Sequence, residues 1–422
     1  MLDKKGVFLV VLLVSLFQLA NGQVANSPFS SFGIGDLYGN SLAQNQGMGG
    51  IGISNPSSWY VNNQNPALLI NNYVTTFHGG MMIENRTIKD GTSSLQNTNG
   101  NLNYLVMAFP IKPGRWTTSI GLTPYSGVNY KLTVIRPVEG SLTSTDTRTE
   151  SGTGGINQLS WANGIKINKY AAVGVRANYL FSSIITQQQA RLPQTLYTPF
   201  LEERNFVSDF SFSTGLYLHK DSISKKNYQL NFGVIYDLQT TVGTRRTVRF
   251  DNRSAINGSI IDSVTLVNNE PSSIVLPQTF GIGVSFGRPT RWMVGADVSY
   301  LDYQQFKGFP GQEIDTRTGV KSAFGLEIMP DQTGVSSYLR RMTYRAGLSY
   351  DQYPYLVAGN QVNDFGVNFG VSLPVARIST IDFSVKIGSR GSIVKNTIEE
   401  NYFKIYLGMT FNDNWFIKRK FD

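Results

Sequence analysis

Apolar residues occupy every second position along most of this 422-residue chain from about residue 73. Between 365 and 373, Phe, Val, Phe, Val and Leu alternate with Gly, Asn, Gly and Ser. The runs 228–236, 292–300, 381–387 and 403–411 repeat this period. Because successive side chains of a strand point to opposite faces, each run has one apolar face and one small or polar face. The pattern predicts an all-β fold in which helices are nearly absent.

Fourteen strands can be placed on this period, and the connections between them alternate in length. The predicted strands are 73–84, 101–111, 116–130, 155–167, 170–185, 206–219, 227–240, 274–287, 291–304, 320–329, 338–351, 364–374, 379–390 and 401–411. Short turns alternate with longer loops, which fall at 85–100, 131–154, 186–205, 241–273, 305–319, 352–363 and 391–400. This wiring and an even strand number are typical of outer-membrane barrels. We therefore predict a 14-stranded antiparallel transmembrane β-barrel over 73–411.

Composition and backbone chemistry favour the same fold. Charged residues make up 15% of the chain, below the roughly 25% of soluble proteins. The part after residue 22 has no apolar run of about 20 residues, which excludes a helical membrane protein. A closed sheet pairs every N–H and C=O that hydrocarbon cannot satisfy. A large soluble β-sandwich or propeller is the alternative, and the loop alternation argues against it.

Residues 1–22 have the pattern of an export signal. Two lysines precede an apolar stretch from 7 to 19, and the small residues Ala20 and Gly22 predict cleavage before Gln23. An uncleaved anchor is the alternative. The signal indicates that the chain leaves the cytoplasm. Together with the predicted barrel, whose even strand number puts both ends on the short-turn side, it leads us to expect a bacterial outer-membrane protein whose two termini face the periplasm.

Residues 23–72 differ from the rest because they are rich in Gly, Asn, Ser and Gln and lack a clean strand. A segment of this length before a barrel predicts a plug inside the lumen. Gly47, Gly49 and Gly52 spell G-x-G-x-x-G, but no buried strand precedes them and no amphipathic helix follows. We interpret them as tight turns against the barrel wall rather than as a dinucleotide site.

Residues 412–422 follow the terminal aromatic Phe411 and form a predicted periplasmic tail. The tail contains Trp415, Phe416 and a basic triplet with Arg419 at its centre. It is interpreted either as a frayed end or as a docking peptide or extension of the assembly signal.

Several short motifs resemble one protein family. The stretch from Gly47 to Gly52, followed by Asn65-Pro66-Ala67-Leu68, is similar to the plug signature of FadL-type outer-membrane transporters of hydrophobic compounds. The stretches 276–283, 292–300 and 344–351 agree in order and spacing. The resemblance implies a fourteen-stranded barrel with an N-terminal hatch, which the strand count also predicts. It further implies capture of a hydrophobic or amphipathic solute and its release either after the hatch shifts or through a lateral gap at a strand kink.

On this resemblance, the predicted ligand or gate residues are Gly49, Gly50, Asn65, Pro66, Ala67, Arg345 and Lys386. A basic side chain in the lumen would hold a carboxylate head group, and Arg176, Arg345, Lys386 and Lys404 have the inward phase. Asp297, Asp351 and Asp382 share that phase. An ordinary network of lumen salt bridges is therefore the alternative.

A second branch of the same family resembles accessory barrels of secretion and assembly machines, including the type 9 secretion system. Its partners would bind long loops and the tail. The predicted contacts are Arg245 and Arg246 in the 241–273 loop, which could extend as a hairpin, and Trp415, Phe416 and Arg419. We favour hydrophobic-solute transport because plug motifs are present and no partner motif is. The non-conducting accessory subunit is the alternative.

Other function classes find little support in the sequence. The chain has no Cys, and His78 and His219 are its two histidines. Neither has the neighbours of a catalytic triad or of a metal site at recognisable spacing. The net charge of +9 comes without a long basic run, so nucleic acid is not an expected partner. We expect no enzyme, no cofactor and no metal.

Overall fold

A computed structural model describes residues 27–137, 145–191, 193, 195–223, 227–312, 314–331, 337–375 and 379–413. The predicted export signal, and Trp415, Phe416 and Arg419 of the predicted tail, lie outside these residues. Within the described ranges, no helix is long and apolar enough to cross a membrane.

The strands of the described chain form one closed antiparallel sheet with fourteen crossings, as predicted. A short strand β1 (Asp36–Leu37) precedes the barrel strands, which are β2 (Thr75–Asp90), β3 (Ser94–Lys112), β4 (Trp116–Pro137), β5 (Thr145–Lys166), β6 (Ala171–Arg191), β7 (Tyr197–Lys220), β8 (Gln229–Asp237), β9 (Thr240–Ser254), β10 (Ile260–Leu276), β11 (Gln278–Arg288), β12 (Trp292–Asp302), β13 (Gly319–Ile328), β14 (Thr343–Val357), β15 (Asn360–Pro374), β16 (Thr380–Gly391) and β17 (Ile398–Asp413).

Two of the fourteen crossings are each made of two consecutive strands. β8 and β9 both pair with β7, and β10 and β11 follow one another along the next crossing. The barrel closes where β17 pairs with β2, with Gly408 opposite Gly80. Short helices lie at Pro28–Ser31, Ala43–Gly47, Pro66–Asn71, Tyr338–Arg341 and Ile393–Asn396.

The apolar face of the strands points outward. On β7, Phe206, Phe210 and Phe212 are exposed, whereas Val207 and Ser213, which directly follow the first and the last of them, are buried. An outward apolar band around a closed sheet is the arrangement that hydrocarbon requires. The period-two alternation therefore identifies both the strands and the face that meets lipid.

Most of the predicted long loops are continuations of strands. The ranges 85–100, 131–154 and 186–205 lie largely in β2–β7, because cross-strand pairing outside the bilayer satisfies their backbone groups as well as water does. The predicted hairpin within 241–273 is present as β9 and β10. We call the continuation of β4, β5, β6, β7, β9 and β10 beyond the barrel the extension sheet.

One predicted strand boundary is also corrected. The predicted strand 338–351 begins as a helical turn at Tyr338–Arg341, and β14 starts at Thr343. The helical turn carries adjacent Arg340 and Arg341, which interrupt the alternation. By contrast, the predicted loop 305–319 stays outside regular strands up to Gly319, where β13 begins.

The outward band generates a stability prediction. Phe212 and Tyr197 on β7 are both 51% exposed, but only Phe212 lies within the band. Phe212→Arg places a charge in hydrocarbon and should lower the free energy of unfolding by about 2–4 kcal/mol. Tyr197→Arg should change it by about 0.5 kcal/mol at most. Urea unfolding in lipid vesicles measures both, and equal losses would contradict the assignment of the band.

Candidate functional site: the barrel lumen and its N-terminal segment

Residues 27–72, here called the N-terminal segment, lie inside the barrel. Wall side chains from several strands hold its backbone. Ser384 Oγ donates to the Ala43 carbonyl at 2.7 Å, and Asn368 Nδ2 donates to the Gln46 carbonyl at 2.8 Å. On other strands, Ser285 Oγ donates to Ser54 O at 2.8 Å and Arg176 Nη2 donates to Asn63 O at 2.6 Å. The segment is therefore anchored around the lumen rather than at one edge.

Asp297 on β12 binds backbone amides of the N-terminal segment rather than its carbonyls. Its Oδ2 accepts from the Gly52 amide at 2.7 Å and from the Ile53 amide at 2.8 Å. Asp297 is buried, and its neighbours Ile51 and Ile53 are buried too. Because buried N–H groups need acceptors, this side chain fixes the turn that follows the glycine motif.

The predicted residues Asn65, Pro66 and Ala67 start the 3₁₀ helix Pro66–Asn71 at the wall. Asn65 caps the helix, with Oδ1 accepting from the Ala67 amide at 3.0 Å. Its Nδ2 donates to Ile53 O at 2.8 Å and to Leu216 O of β7 at 3.0 Å. The structure thus gives Asn65 an anchoring position, and a ligand or gate role for the three residues stays a prediction.

Wall glycines provide the room for these contacts. A Cβ added to Gly174 would collide with Ala67 N and the Pro66 carbonyl carbon, and one added to Gly347 would collide with Met48 and Gly49. The same holds at inward positions on other strands, namely Gly164, Gly215, Gly233, Gly283, Gly325 and Gly370. We call these eight residues the glycine girdle. The sequence analysis missed them, although Gly recurs in the inward phase.

The predicted turns of the glycine motif are found at Gly49 and at the adjacent Gly50, which have φ of 75° and 97°. Gly47 is required for a different reason. Its Cβ would lie 2.9 Å from the Gly370 Cα, so the helix Ala43–Gly47 could not approach β15. A ligand or gate role for Gly49 and Gly50 stays a prediction.

The end of the lumen inside the extension sheet is filled by an apolar core. Ile34 of the segment and Phe309 of the loop 303–318 pack with inward wall residues such as Val207 and Ile274, and all four are buried. Phe306 packs against this core, and the amide of Lys307 pairs with Val275 of β10. Neither this loop nor its phenylalanines were predicted to enter the lumen.

A polar cavity of about 300 Å³ lies between this core and the segment. Arg390 binds Asp36 at 2.6 Å, and Arg86 pairs with both Glu84 and Glu400. Ser27 Oγ donates to Glu400 at 2.7 Å, which ties the start of the segment into the same network. The cavity lining is therefore charged rather than apolar.

The predicted basic residues have acidic or carbonyl partners. Arg345 Nε binds Glu327 at 2.6 Å, Lys386 lies 3.6 Å from Asp364, and Lys404 lies 3.4 Å from Glu84. Arg176 donates to the segment, as described above. These pairs form the kind of lumen salt-bridge network that the sequence offered as the alternative to a ligand site. Ligand binding by Arg345 and Lys386 stays a prediction.

A second cavity, of about 630 Å³, opens at the short-turn end. It is lined by Trp59 and Tyr60 of the segment and by Met293, Arg345 and Asp382 of the wall, among others. In the described chain no residue lines both cavities. The segment therefore divides the lumen into two compartments.

The two histidines have structural surroundings. His78 is buried, with Nε2 3.0 Å from Gln44 Nε2 and 3.2 Å from Tyr104 Oη. Asp382 lies between His78 and Ser372 and accepts from the serine, so the order of a nucleophilic triad is absent there. His219 lies 3.1 Å from Asp221 at the short-turn end. Among the described residues no group of His, Asp and Glu is placed to hold a metal ion.

The predicted partner residues Arg245 and Arg246 lie on β9 of the extension sheet. Arg246 forms a two-point ion pair with Glu203 of β7, at 3.0 Å for each bond. The hydrogen bonds that Arg246 donates to the Glu203 carboxylate raise the pKa of Arg246. Arg245 is exposed. Arg246 thus holds the hairpin to its neighbour, and partner binding by either residue stays a prediction.

The role of Asp297 can be tested directly. Asp297→Ala leaves two buried amides without an acceptor and should destabilise the segment by about 1–3 kcal/mol. Hydrogen exchange at Gly52 and Ile53 should accelerate accordingly, whereas Ser299→Ala, two residues along the same strand and face, should leave it unchanged. Unaltered exchange in Asp297→Ala would show that other contacts fix the turn.

The girdle can be tested with one methyl group. Gly174→Ala should push the Pro66–Asn71 helix off the wall and cost about 1–3 kcal/mol through overpacking. Gly243→Ala on β9 is the control, since its Cβ would lie 3.5 Å from the nearest atom, an ordinary contact. Thermal unfolding and protease cleavage of the segment compare the two. Similar behaviour of both variants would contradict the close fit.

Comparisons with known proteins agree with this architecture. A family model described as BamG matches residues 1–422. No curated protein matches the chain. The monoaromatic hydrocarbon channel CymD is 14% identical over 90% of this chain and 98% of its own, with a TM-score of 0.59. The Ralstonia pickettii toluene transporter TbuX is 13% identical over 89% and 98%, with a TM-score of 0.56.

A Pseudomonas aeruginosa FadL homologue is 12% identical over 89% of this chain and 99% of its own, with a TM-score of 0.57. At such identities the likeness shows the fold. The predicted resemblance to FadL-type barrels is confirmed at that level.

Proposed function

The chain belongs to the BamG family, and on that premise we propose that it is a non-conducting accessory barrel of an outer-membrane protein assembly or secretion complex. The link of this family to assembly supports the proposal. The observation that carries it is the double closure of the lumen, by the apolar core and by the anchored segment.

The apolar core closes the lumen within the extension sheet. Phe309 and Ile34 are 3% and 2% exposed, and wall residues from β4 to β10 surround them. A solute entering from that end would have to separate these side chains and expose their apolar surface, at about 25 cal/mol per Å². The core has the character of a permanent protein interior.

Below the core, the charged lining disfavours an apolar passenger. Arg86, Arg390 and Glu84 are buried and line the 300 Å³ cavity. A hydrocarbon passing this point would separate the charges from their partners or displace their polar contacts, which costs several kcal/mol per ion. The network favours a fixed structure over a transport path.

The orientation follows from the wiring. Outer-membrane barrels have short turns in the periplasm and longer connections outside. The short-turn end, where β2 begins at Thr75 and β17 ends at Asp413, then faces the periplasm. The extension sheet stands at the cell surface, where it is accessible to partner proteins.

Hydrophobic-solute transport is the second candidate. The 630 Å³ cavity at the short-turn end has the volume of a small-molecule site, and Trp59 and Met293 are part of its lining. Arg345 in the same cavity would face a carboxylate head group. For transport, the N-terminal segment would have to leave the wall.

A disulfide lock separates the two candidates. The chain has no native Cys, and a Cβ at Gly408 would lie 3.0 Å from the Ala43 Cβ, close to the ~3.5–4.5 Å of disulfides. Oxidised Ala43→Cys/Gly408→Cys should keep its association with other outer-membrane proteins, as should the two single-Cys controls. Purification from native membranes with mass spectrometry of proteins and lipids measures this.

Transport predicts a different result. A stoichiometric amphiphile on a lone barrel, together with solute uptake that is lost on oxidation and restored by reduction, would overturn the accessory role. A stable protein complex that is indifferent to the lock supports it.

A further inference from the structure

β10 has a pairing partner on one side only over most of its length. Its residues from Ile260 to Leu276 pair with β9. On the other side, the described chain supplies the bridge between Val275 and Lys307 near the barrel. Within the described chain, the backbone from Ile260 to Glu270 therefore presents a row of N–H and C=O groups to solvent. Such an edge is a template for another strand.

This edge strand is exposed on both faces. Ile261, Val264 and Leu266 are 54%, 48% and 58% exposed. Successive side chains point to opposite faces, so apolar groups at adjacent and alternating positions cannot all face the sheet's own core. Most surface strands bury one face, and this one buries neither over its outer half.

An apolar patch continues around the tip of the extension sheet. Leu196 and Tyr197 at the start of β7 are exposed, as is Ile256 in the turn between β9 and β10. The two tips are adjacent because the Ala255 amide donates to Leu196 O at 2.9 Å. Clustered apolar side chains at a surface mark interaction sites.

Lipid does not explain the patch. Tyr197 precedes Phe206, at the upper limit of the outward aromatic run on β7, by nine residues, about 30 Å of strand at about 3.3 Å per residue. The tip patch therefore lies clear of the bilayer. The outer part of β10 also lies above Phe206, because Val264 is paired through Phe250 with Leu201, so its occupant comes from the aqueous side.

We propose that the β10 edge of the extension sheet binds an extended strand of a partner protein, which adds to the sheet beside the outer part of β10, residues 260–267. Only a polypeptide backbone presents donors and acceptors at the spacing of the edge. The exposed apolar residues of β10 would pack best against apolar side chains at alternate positions of the partner strand. The inference rests on the accessory function proposed above and names the surface involved.

Charge distinguishes a partner from a second copy of this chain. Asp262 and Glu270 are the charged residues of β10, and both are acidic. Two antiparallel copies paired about Leu266 would set these carboxylates opposite one another, and like charges at such positions repel. A partner strand that carries a basic residue fits the edge better.

Irregularities along β10 also limit the length of the partner strand that can pair with its edge. Pro271 lacks an amide hydrogen, and the register shifts between Ile260 and Asp262, Thr265 and Val267, and Val267 and Glu270. Such irregularities prevent open-ended sheet growth. They leave the regular stretch from Asp262 to Thr265 for a short, specific partner strand.

The test uses the full chain in its native outer membrane. A photo-cross-linking amino acid at Leu266 should cross-link to a protein that also co-purifies stoichiometrically with the barrel. The control is the same amino acid at Ile135 on β4, which is 65% exposed on the opposite edge of the extension sheet. Leu266→Lys should reduce co-purification of that partner about tenfold, and Ile135→Lys should not.

The outcomes are distinct. Cross-linked peptides from an extended segment of the co-purifying protein, lost in Leu266→Lys, support the inference. A cross-link between two copies of this chain overturns the assignment to a partner. An intact complex without a cross-link at position 266 overturns the docking edge and leaves the accessory function standing. Absence of any complex overturns both.

Discussion

Backbone hydrogen bonding in hydrocarbon is the constraint from which the rest of this molecule follows. A sheet surrounded by lipid has no water to satisfy an edge, so it must close. Closure here pairs β17 with β2 and turns the apolar face outward. The small and polar face then lines a lumen, which for fourteen strands is wide enough to hold a folded segment.

The N-terminal segment fills much of this wide polar lumen. The segment has little regular structure and cannot satisfy its own backbone. Wall side chains such as Asp297, Asn368 and Ser384 therefore supply donors and acceptors for it. Hydrogen bonds of this length require main chains to approach the wall closely, and the glycine girdle permits that approach. The hydrogen bonds from the wall and the glycine girdle therefore act together to hold the N-terminal segment against the wall.

The sequence predicts what is local and periodic. The alternation at 365–373 identifies β15 and its outward face, and the length alternation of the connections identifies the strand parity. The plug motif predicts the turns at Gly49. These signals depend on neighbouring residues, which the sequence displays directly.

What the sequence does not predict depends on partners far along the chain. Ser27 meets Glu400, and Arg390 meets Asp36, across more than 350 positions. Phe309 lies in an irregular loop, so no period reveals that it fills the lumen. Inward glycines are visible as a composition bias, but their contacts with Pro66 and Met48 emerge only when the segment is in place.

Apolar surface is distributed differently on the inside and the outside of the extension sheet, and this difference bears most directly on function. Inside the extension sheet, Ile34 and Phe309 are enclosed by the wall as a protein core. Outside it, Val264 and Leu266 lie uncovered on a strand with a free edge. A channel needs the reverse arrangement, with accessible apolar surface along the lumen and an inert rim. The molecule buries the apolar surface at the outer end of the lumen and exposes apolar surface on the extension sheet, an arrangement that supports the proposed accessory role over transport.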